Sequence, residues 1–131
     1  MSDSHYHPAP GLSPPSLVMI VDDESPIAEA LALIIEDAGY HVLLASSGHM
    51  AIEQIDGGAR PALVFTDLMM PRMDGVALIH ALRVALGAET PPIIIMTAGD
   101  KTIASQALAD ETLSKPFTMR QVEALLRRYL A

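Results

Sequence analysis

The chain has 131 residues, enough for one domain around a single core. Half of its residues are hydrophobic and 18% are charged, which excludes a disordered chain, and 8 Lys and Arg against 16 Asp and Glu give a net charge of −8, which argues against direct nucleic-acid binding or a polybasic membrane anchor. There is no cysteine, so disulfides, thiol catalysis and zinc–thiolate sites are excluded, and no apolar run approaches the roughly 20 residues of a membrane span.

Residues 1–16, MSDSHYHPAPGLSPPS, hold Pro8, Pro10, Pro14 and Pro15 and read as a disordered Pro-rich tail. His5 and His7 within it read as solvated rather than metal-binding. The N-terminus lacks the basic-then-apolar pattern of a signal peptide, so a cytoplasmic domain over residues 17–131 is expected. Leu17–Val21 is a continuous apolar run closed by Asp22, Asp23 and Glu24, as expected of a strand buried on both faces. Ser25 and Pro26 open a helix with Ile27, Leu31, Ile34 and Ile35 on one face, and Gly39 ends it. Tyr40–Ala45 reads as a second strand and Ser47–Ile55 as a short helix stopped by Gly57 and Gly58. Ala62–Thr66 is a third strand, closed by Asp67. A third helix runs from Asp74 to Leu86, with Arg83 at the margin of its apolar face and Gly87 at its end. Pro92–Met96 is a fourth strand, closed by Thr97. A weak helix is expected over Thr102–Ala109, a fifth strand over Glu111–Ser114, and a last helix over Thr118–Leu130 with Val122, Leu125, Leu126 and Leu130 along one side.

Strands alternating with helices predict a doubly wound, five-stranded parallel sheet, (βα)5, with ligands at the carboxyl edge. To that edge the pattern brings Asp22, Asp23, Asp67, Thr97 and Lys115. A single Asp there is usually a helix N-cap, and Asp23 or Asp74 alone would be read so. Three converging carboxylates are different, because they repel one another and lose hydration. A divalent cation relieves both penalties. Oxygen donors without Cys or a nearby strand-end His suit Mg2+ or Mn2+, and such an ion points to phosphoryl chemistry.

Four pieces close the first, third, fourth and fifth strands in order: Val21-Asp22-Asp23-Glu24, then Asp67-Leu68-Met69-Met70-Pro71-Arg72-Met73-Asp74-Gly75, then Met96-Thr97-Ala98, then Lys115-Pro116-Phe117. With them the chain resembles the receiver domain of bacterial two-component response regulators, from Leu17 to Leu130. The resemblance implies a flavodoxin-like fold and a set of roles. Asp67 would accept a phosphoryl group from a phosphohistidine of a sensor histidine kinase or histidine phosphotransfer protein. Asp23, Asp67 and the backbone carbonyl of Met69 would bind the ion, Asp22 acting through a water. Thr97 and Lys115 would contact the phosphoryl oxygens. The chain would act as a single-domain receiver that signals to a downstream protein partner or relays the group, and it would not be an enzyme beyond its own phosphorylation and dephosphorylation. Two other readings stay open: a Mg2+-dependent phosphohydrolase, though Met69 stands where such enzymes want an acid/base Asp, and a docking module without phosphorylation.

Two features depart from the family pattern. Thr112 stands three residues before Lys115, where many receivers carry an aromatic ring. The stretch from Thr97 to Lys115 is short by roughly one helical turn, with Ile103 and Leu108 as its only large apolar residues before the fifth strand. His41, His49 and His80 read as lying away from the strand ends. Met19 and Met96 read as core filler.

Overall fold

The computed structural model describes residues 16–99 and 109–130. Its elements are β1 (Leu17–Val21), α1 (Ser25–Asp37), β2 (His41–Ala45), α2 (Gly48–Asp56), β3 (Leu63–Asp67), α3 (Gly75–Leu86), β4 (Ile93–Thr97), β5 (Glu111–Ser114) and α4 (Met119–Leu130), with a 3-10 turn over Gly87–Glu89. The expected tail apart from Ser16, and the expected helix over Thr102–Ala109 apart from Ala109, lie outside the described residues; neither Ser16 nor Ala109 lies in a helix or strand.

All strand pairs are parallel, in the order β2-β1-β3-β4-β5. That order reverses direction at β1, so β1 and β3 lie side by side and their carboxyl ends flank the switch point. Residue for residue, Val21 pairs with Thr66 and Asp67 with Met96. Sequence and structure agree on every strand to within one residue. The differences matter, because β3 runs through Asp67 and β4 through Thr97, so both side chains are held by ladder geometry rather than by a loop.

The apolar runs are continuous because both faces of the sheet are covered. On one face Val18, Ile20, Phe65, Ile94 and Met96 pack against Leu31 and Ile35 of α1 and Val122, Leu125 and Leu126 of α4. On the other, Met19, Val21, Val64, Ile93 and Ile95 meet Ala51 and Ile55 of α2 and Leu78, Ile79 and Leu82 of α3. Met19 and Met96 are fully buried, as read from the sequence. Each large side chain so buried stabilises the fold by about 1.5–3 kcal/mol relative to exposure.

The helix starts follow from short polar side chains. The Ser47 hydroxyl accepts from Met50 N–H at 3.0 Å, and Asp74 accepts from Ala77 N–H at 2.9 Å. Thr118 and Gln121 form a reciprocal capping box at 3.1 and 2.8 Å. α1 has no side-chain cap and relies on Pro26 in its first turn.

Candidate functional site

The site grows from three strand ends. β1 delivers Asp22, which is buried and whose carboxylate accepts from Glu24 N–H at 2.7 Å. That bond bends the chain after the strand and turns the Glu24 side chain back over the edge. β3 delivers Asp67, also buried; the Thr66 hydroxyl donates to its carbonyl at 3.0 Å, and Leu68 N–H donates to Met96 O at 3.0 Å. β4 delivers buried Thr97, whose hydroxyl accepts from Gly99 N–H at 3.1 Å. After β5, Lys115 N–H donates to Thr97 O at 2.8 Å, which swings the lysine over the edge ahead of a cis Lys115–Pro116 bond.

The Lys115 ammonium stands 3.2 Å from Asp67, 3.4 Å from Asp22 and 3.5 Å from Glu24. Three carboxylates therefore share one cation, leaving a local excess of negative charge. Burial is the largest influence on Asp67 and raises its carboxyl pKa; Lys115 pulls it down, and Asp22 and Asp23 push it up again. Burial works against the charged form of Lys115, but Asp67 and Asp22 outweigh it and hold its pKa above the ordinary lysine value. A cavity of about 240 Å³ opens over this group, lined by Glu24, Asp67, Met69, Thr97, Gly99 and Lys115 among others.

The oxygens of Asp22, Glu24 and Asp67 come within 4.8 Å of one another, the one such acidic group among the described residues. An all-oxygen, charge-rich set of this kind fits a hard divalent cation such as Mg2+. Asp22, Asp67, Thr97 and Lys115 thus meet as the sequence suggested. Asp23 is exposed and its carboxylate stays outside the 4.8 Å group, although its charge reaches Asp67. Glu24 was not singled out from the sequence; its signal was only its place in the Asp22-Asp23-Glu24 run. Met69 is 73% exposed at the cavity wall. His41 and His80 are exposed away from the site, but His49 is not remote: at the start of α2 it lines a second cavity at the same edge with Asp23 and Arg72. The reason is topological, since in a parallel sheet each following helix begins at the carboxyl edge.

The Asp67–Gly75 loop is held by close packing. Gly75 N–H donates to Leu68 O at 2.8 Å, and a Cβ on Gly75 would lie 2.6 Å from Asp67 O. Only glycine lets α3 start so near the back of Asp67.

Comparisons with known proteins agree with this geometry. The response regulator receiver domain pattern matches residues 18–127. Among curated relatives, Response regulator Rre1 of Synechocystis sp. is 34% identical over 125 residues, 92% of this chain and 54% of that protein. The alkaline phosphatase synthesis transcriptional regulatory protein PhoP of Bacillus subtilis is 32% identical over 117 residues, 86% of this chain and 48% of that protein. Among solved structures, a response regulator from Chloroflexus aurantiacus superposes with a TM-score of 0.80 at 32% identity, covering 88% of this chain and 98% of that one. Chemotaxis protein CheY4 of Vibrio cholerae gives 0.81 at 28%, covering 88% and 99%. The chain belongs to the response regulator receiver domain family of two-component systems. It spans about half the length of the curated relatives it matches. Among the described residues no helix is long and apolar enough to cross a membrane.

Proposed function

We propose that this chain accepts a phosphoryl group on Asp67 from a phosphohistidine of a sensor histidine kinase or histidine phosphotransfer protein, and then signals by binding a partner protein or by passing the group on. The observation that carries the reading is the Asp67 carboxylate at the end of the central strand, 3.2 Å from the Lys115 ammonium and beside Thr97 in one small cavity. In the proposed step an Asp67 oxygen attacks phosphorus, the P–N bond to the imidazole breaks, and the released nitrogen keeps the bond pair and takes up a proton. Lys115 would neutralise the equatorial oxygens, and Thr97 would donate its hydroxyl to one of them. Asp22, Glu24 and Asp67 would hold Mg2+ or Mn2+, with Asp23 and the Met69 carbonyl as the further ligands the resemblance implies. When bound, such an ion supplies charge neutralisation for the transferring group.

The donor's docking face is proposed at the neighbouring groove of about 520 Å³. It is lined by Pro26, Ile27, Ala30 and Phe117 and shares Glu24 and Lys115 with the acidic cavity. Apolar side chains there would seat a helix of the donor with its histidine over Asp67. A kinase that draws on ATP places the protein in the cytoplasm. The chain would not turn over an external substrate: Met69, two residues after Asp67, can neither donate nor accept a proton. Incubation with acetyl phosphate and Mg2+, followed by intact mass, tests the reading. One added phosphoryl group on the wild type and none on Asp67→Asn is expected. Unchanged mass, or a phosphoryl group mapped elsewhere, would overturn it, and catalytic release of phosphate from simple esters would point to a hydrolase.

A further inference from the structure

β2 forms one edge of the sheet, and its register fixes which backbone groups face outward. His41 N–H donates to Ser16 O at 3.0 Å and Ala45 O accepts from Asp22 N–H at 3.1 Å, so the backbone groups of His41, Leu43 and Ala45 face β1. Alternation turns those of Val42 and Leu44 outward. Of these four groups, only the Leu44 carbonyl has a partner among the described residues, the Gln54 side-chain amide at 3.2 Å. Edge strands are commonly protected by Lys, Pro or a bulge. β2, HVLLA, has no Lys or Pro and pairs with β1 residue for residue, without a bulge.

Side chains beside this edge make a groove. Leu33 of α1 is 63% exposed and Leu44 is 44% exposed, and with Ala32 and Val42 they line a hollow of about 420 Å³ between α1 and β2. Glu29 and Glu36 rim it, both exposed and neither with an ion-pair partner among the described residues. No Lys or Arg lines it. Glu29 and Leu44 also line an adjoining hollow with Ser46 and Met50, which extends the groove toward the carboxyl edge of the sheet.

We propose that this edge is a docking surface for an extended segment of a partner protein, which adds to β2 as a strand and carries, on its face toward α1, an apolar residue with a Lys or Arg two positions to either side. The backbone of such a segment supplies the partners that Val42 and Leu44 lack, and its alternate side chains supply selectivity. The groove sets the pattern. Leu33 lies between Glu29 and Glu36, which stand roughly 10 Å apart along α1 at about 1.5 Å per residue. Strand residues four apart share a face and stand about 13 Å apart, with one further residue between them on that face. The order basic–x–apolar–x–basic therefore sets the apolar side chain against Leu33 and Leu44 while the flexible basic stems reach the two glutamates.

Charge tells against the other occupants. A second copy paired edge to edge about a two-fold axis would lay α1 beside α1 in opposite directions, with Glu29 of each copy against Glu36 of the other. Like charges so placed oppose docking. Residues 1–15 of this chain contain no Lys or Arg to meet the rim.

The palindromic peptide acetyl-TKTVTKT-amide carries the pattern in either strand direction and tests the proposal on the isotope-labelled full chain. Its titration is expected to shift the amide signals of Leu33, Val42 and Leu44, and at saturation to slow hydrogen exchange of Val42 and Leu44 at least about tenfold. Acetyl-TETVTET-amide should bind at least about tenfold more weakly, and a double variant with Glu29→Lys and Glu36→Lys should reverse that preference. Leu33→Ser should weaken binding of the basic peptide. All three side chains are exposed, so these variants keep the fold. Equal binding of the two peptides, a preference unchanged in the double variant, binding indifferent to Leu33→Ser, or shifts centred on the acidic cavity at Asp67 instead of on β2 would overturn the proposal. So would slow exchange of Val42 and Leu44 in the free chain, which would assign the edge to the chain itself where it is independent of protein concentration and to a second copy where it is not.

Discussion

Gly75 and Gly48 both sit at the start of a helix beneath the site, and a methyl group would be received differently at each. At Gly75 the obstacle is backbone: Asp67 O at 2.6 Å and Leu68 Cα at 3.1 Å. Neither can move without shifting Asp67. At Gly48 the obstacle is the Met73 side chain, with its sulfur at 2.7 Å. A thioether on rotatable bonds can turn aside. Gly75→Ala is therefore expected to destabilise by about 1–3 kcal/mol, the range for overpacking, and Gly48→Ala by clearly less, as read by urea denaturation at fixed Mg2+. The sequence marked Gly75 only as part of a motif; its reason is visible once α3 is seen against the back of β3. Asp67 was legible because it closes an apolar run, and Lys115 because it follows the fifth strand and opens Lys-Pro-Phe. Glu24 was not, because its recruitment depends on the turn that Asp22 makes by accepting from Glu24 N–H, which no periodicity reports.

At the scale of elements, the apolar periods of all four described helices and the strand runs were readable, since each element buries a face or a whole strand. How the last helix is fastened was not. Arg128 pairs with Glu111 at 2.6 Å and the Tyr129 hydroxyl donates to Glu111 at 2.9 Å, joining α4 to the first residue of β5 across 17 and 18 residues. Such pairs depend on how α4 lies across the sheet, and a lone Glu at a strand start carries no mark of it. Burial tends to raise the Glu111 pKa, but the hydrogen bonds from Arg128 and Tyr129 outweigh it and leave it below the ordinary glutamate value. A depressed carboxyl stabilises the fold at pH above the unfolded value, 4.5, and that contribution disappears as pH falls through the folded value. Glu111→Gln should therefore flatten the acid limb of the stability curve below about pH 4.5 while changing its shape little near neutrality, as followed by thermal melts across pH. At the other end of α4, Thr118→Ala breaks the capping box with Gln121 and is expected to cost about 1 kcal/mol.

On the scale of the whole molecule, the strand order gathers chemistry from residues far apart in the chain. β1 and β3 stand side by side with β4 and β5 next, so residues 22, 67, 97 and 115 reach one edge although 93 positions separate the first from the last. The same arrangement concentrates carboxylates where the chain has little to neutralise them: Asp22, Glu24 and Asp67 share the Lys115 ammonium, and Asp23 adds its field. Folding brings these charges together, and unfolding disperses them, so the folded state is expected to bind a divalent cation more tightly than the unfolded one. Mass action then makes stability rise with Mg2+ as RT ln(1 + [L]/Kd), about 2.7 kcal/mol when the ion stands at a hundred times its Kd. Asp67→Asn removes a charge from the centre of the cluster, so it should be more stable than the wild type without Mg2+ and should gain far less when the ion is added. Glu24→Gln should weaken the response partway, because two buried carboxylates remain. Titrating Mg2+ against the melting temperature of the three proteins at constant ionic strength checks this. Curves that rise equally would mean that the cation acts on the net charge of −8 as a whole rather than at this edge.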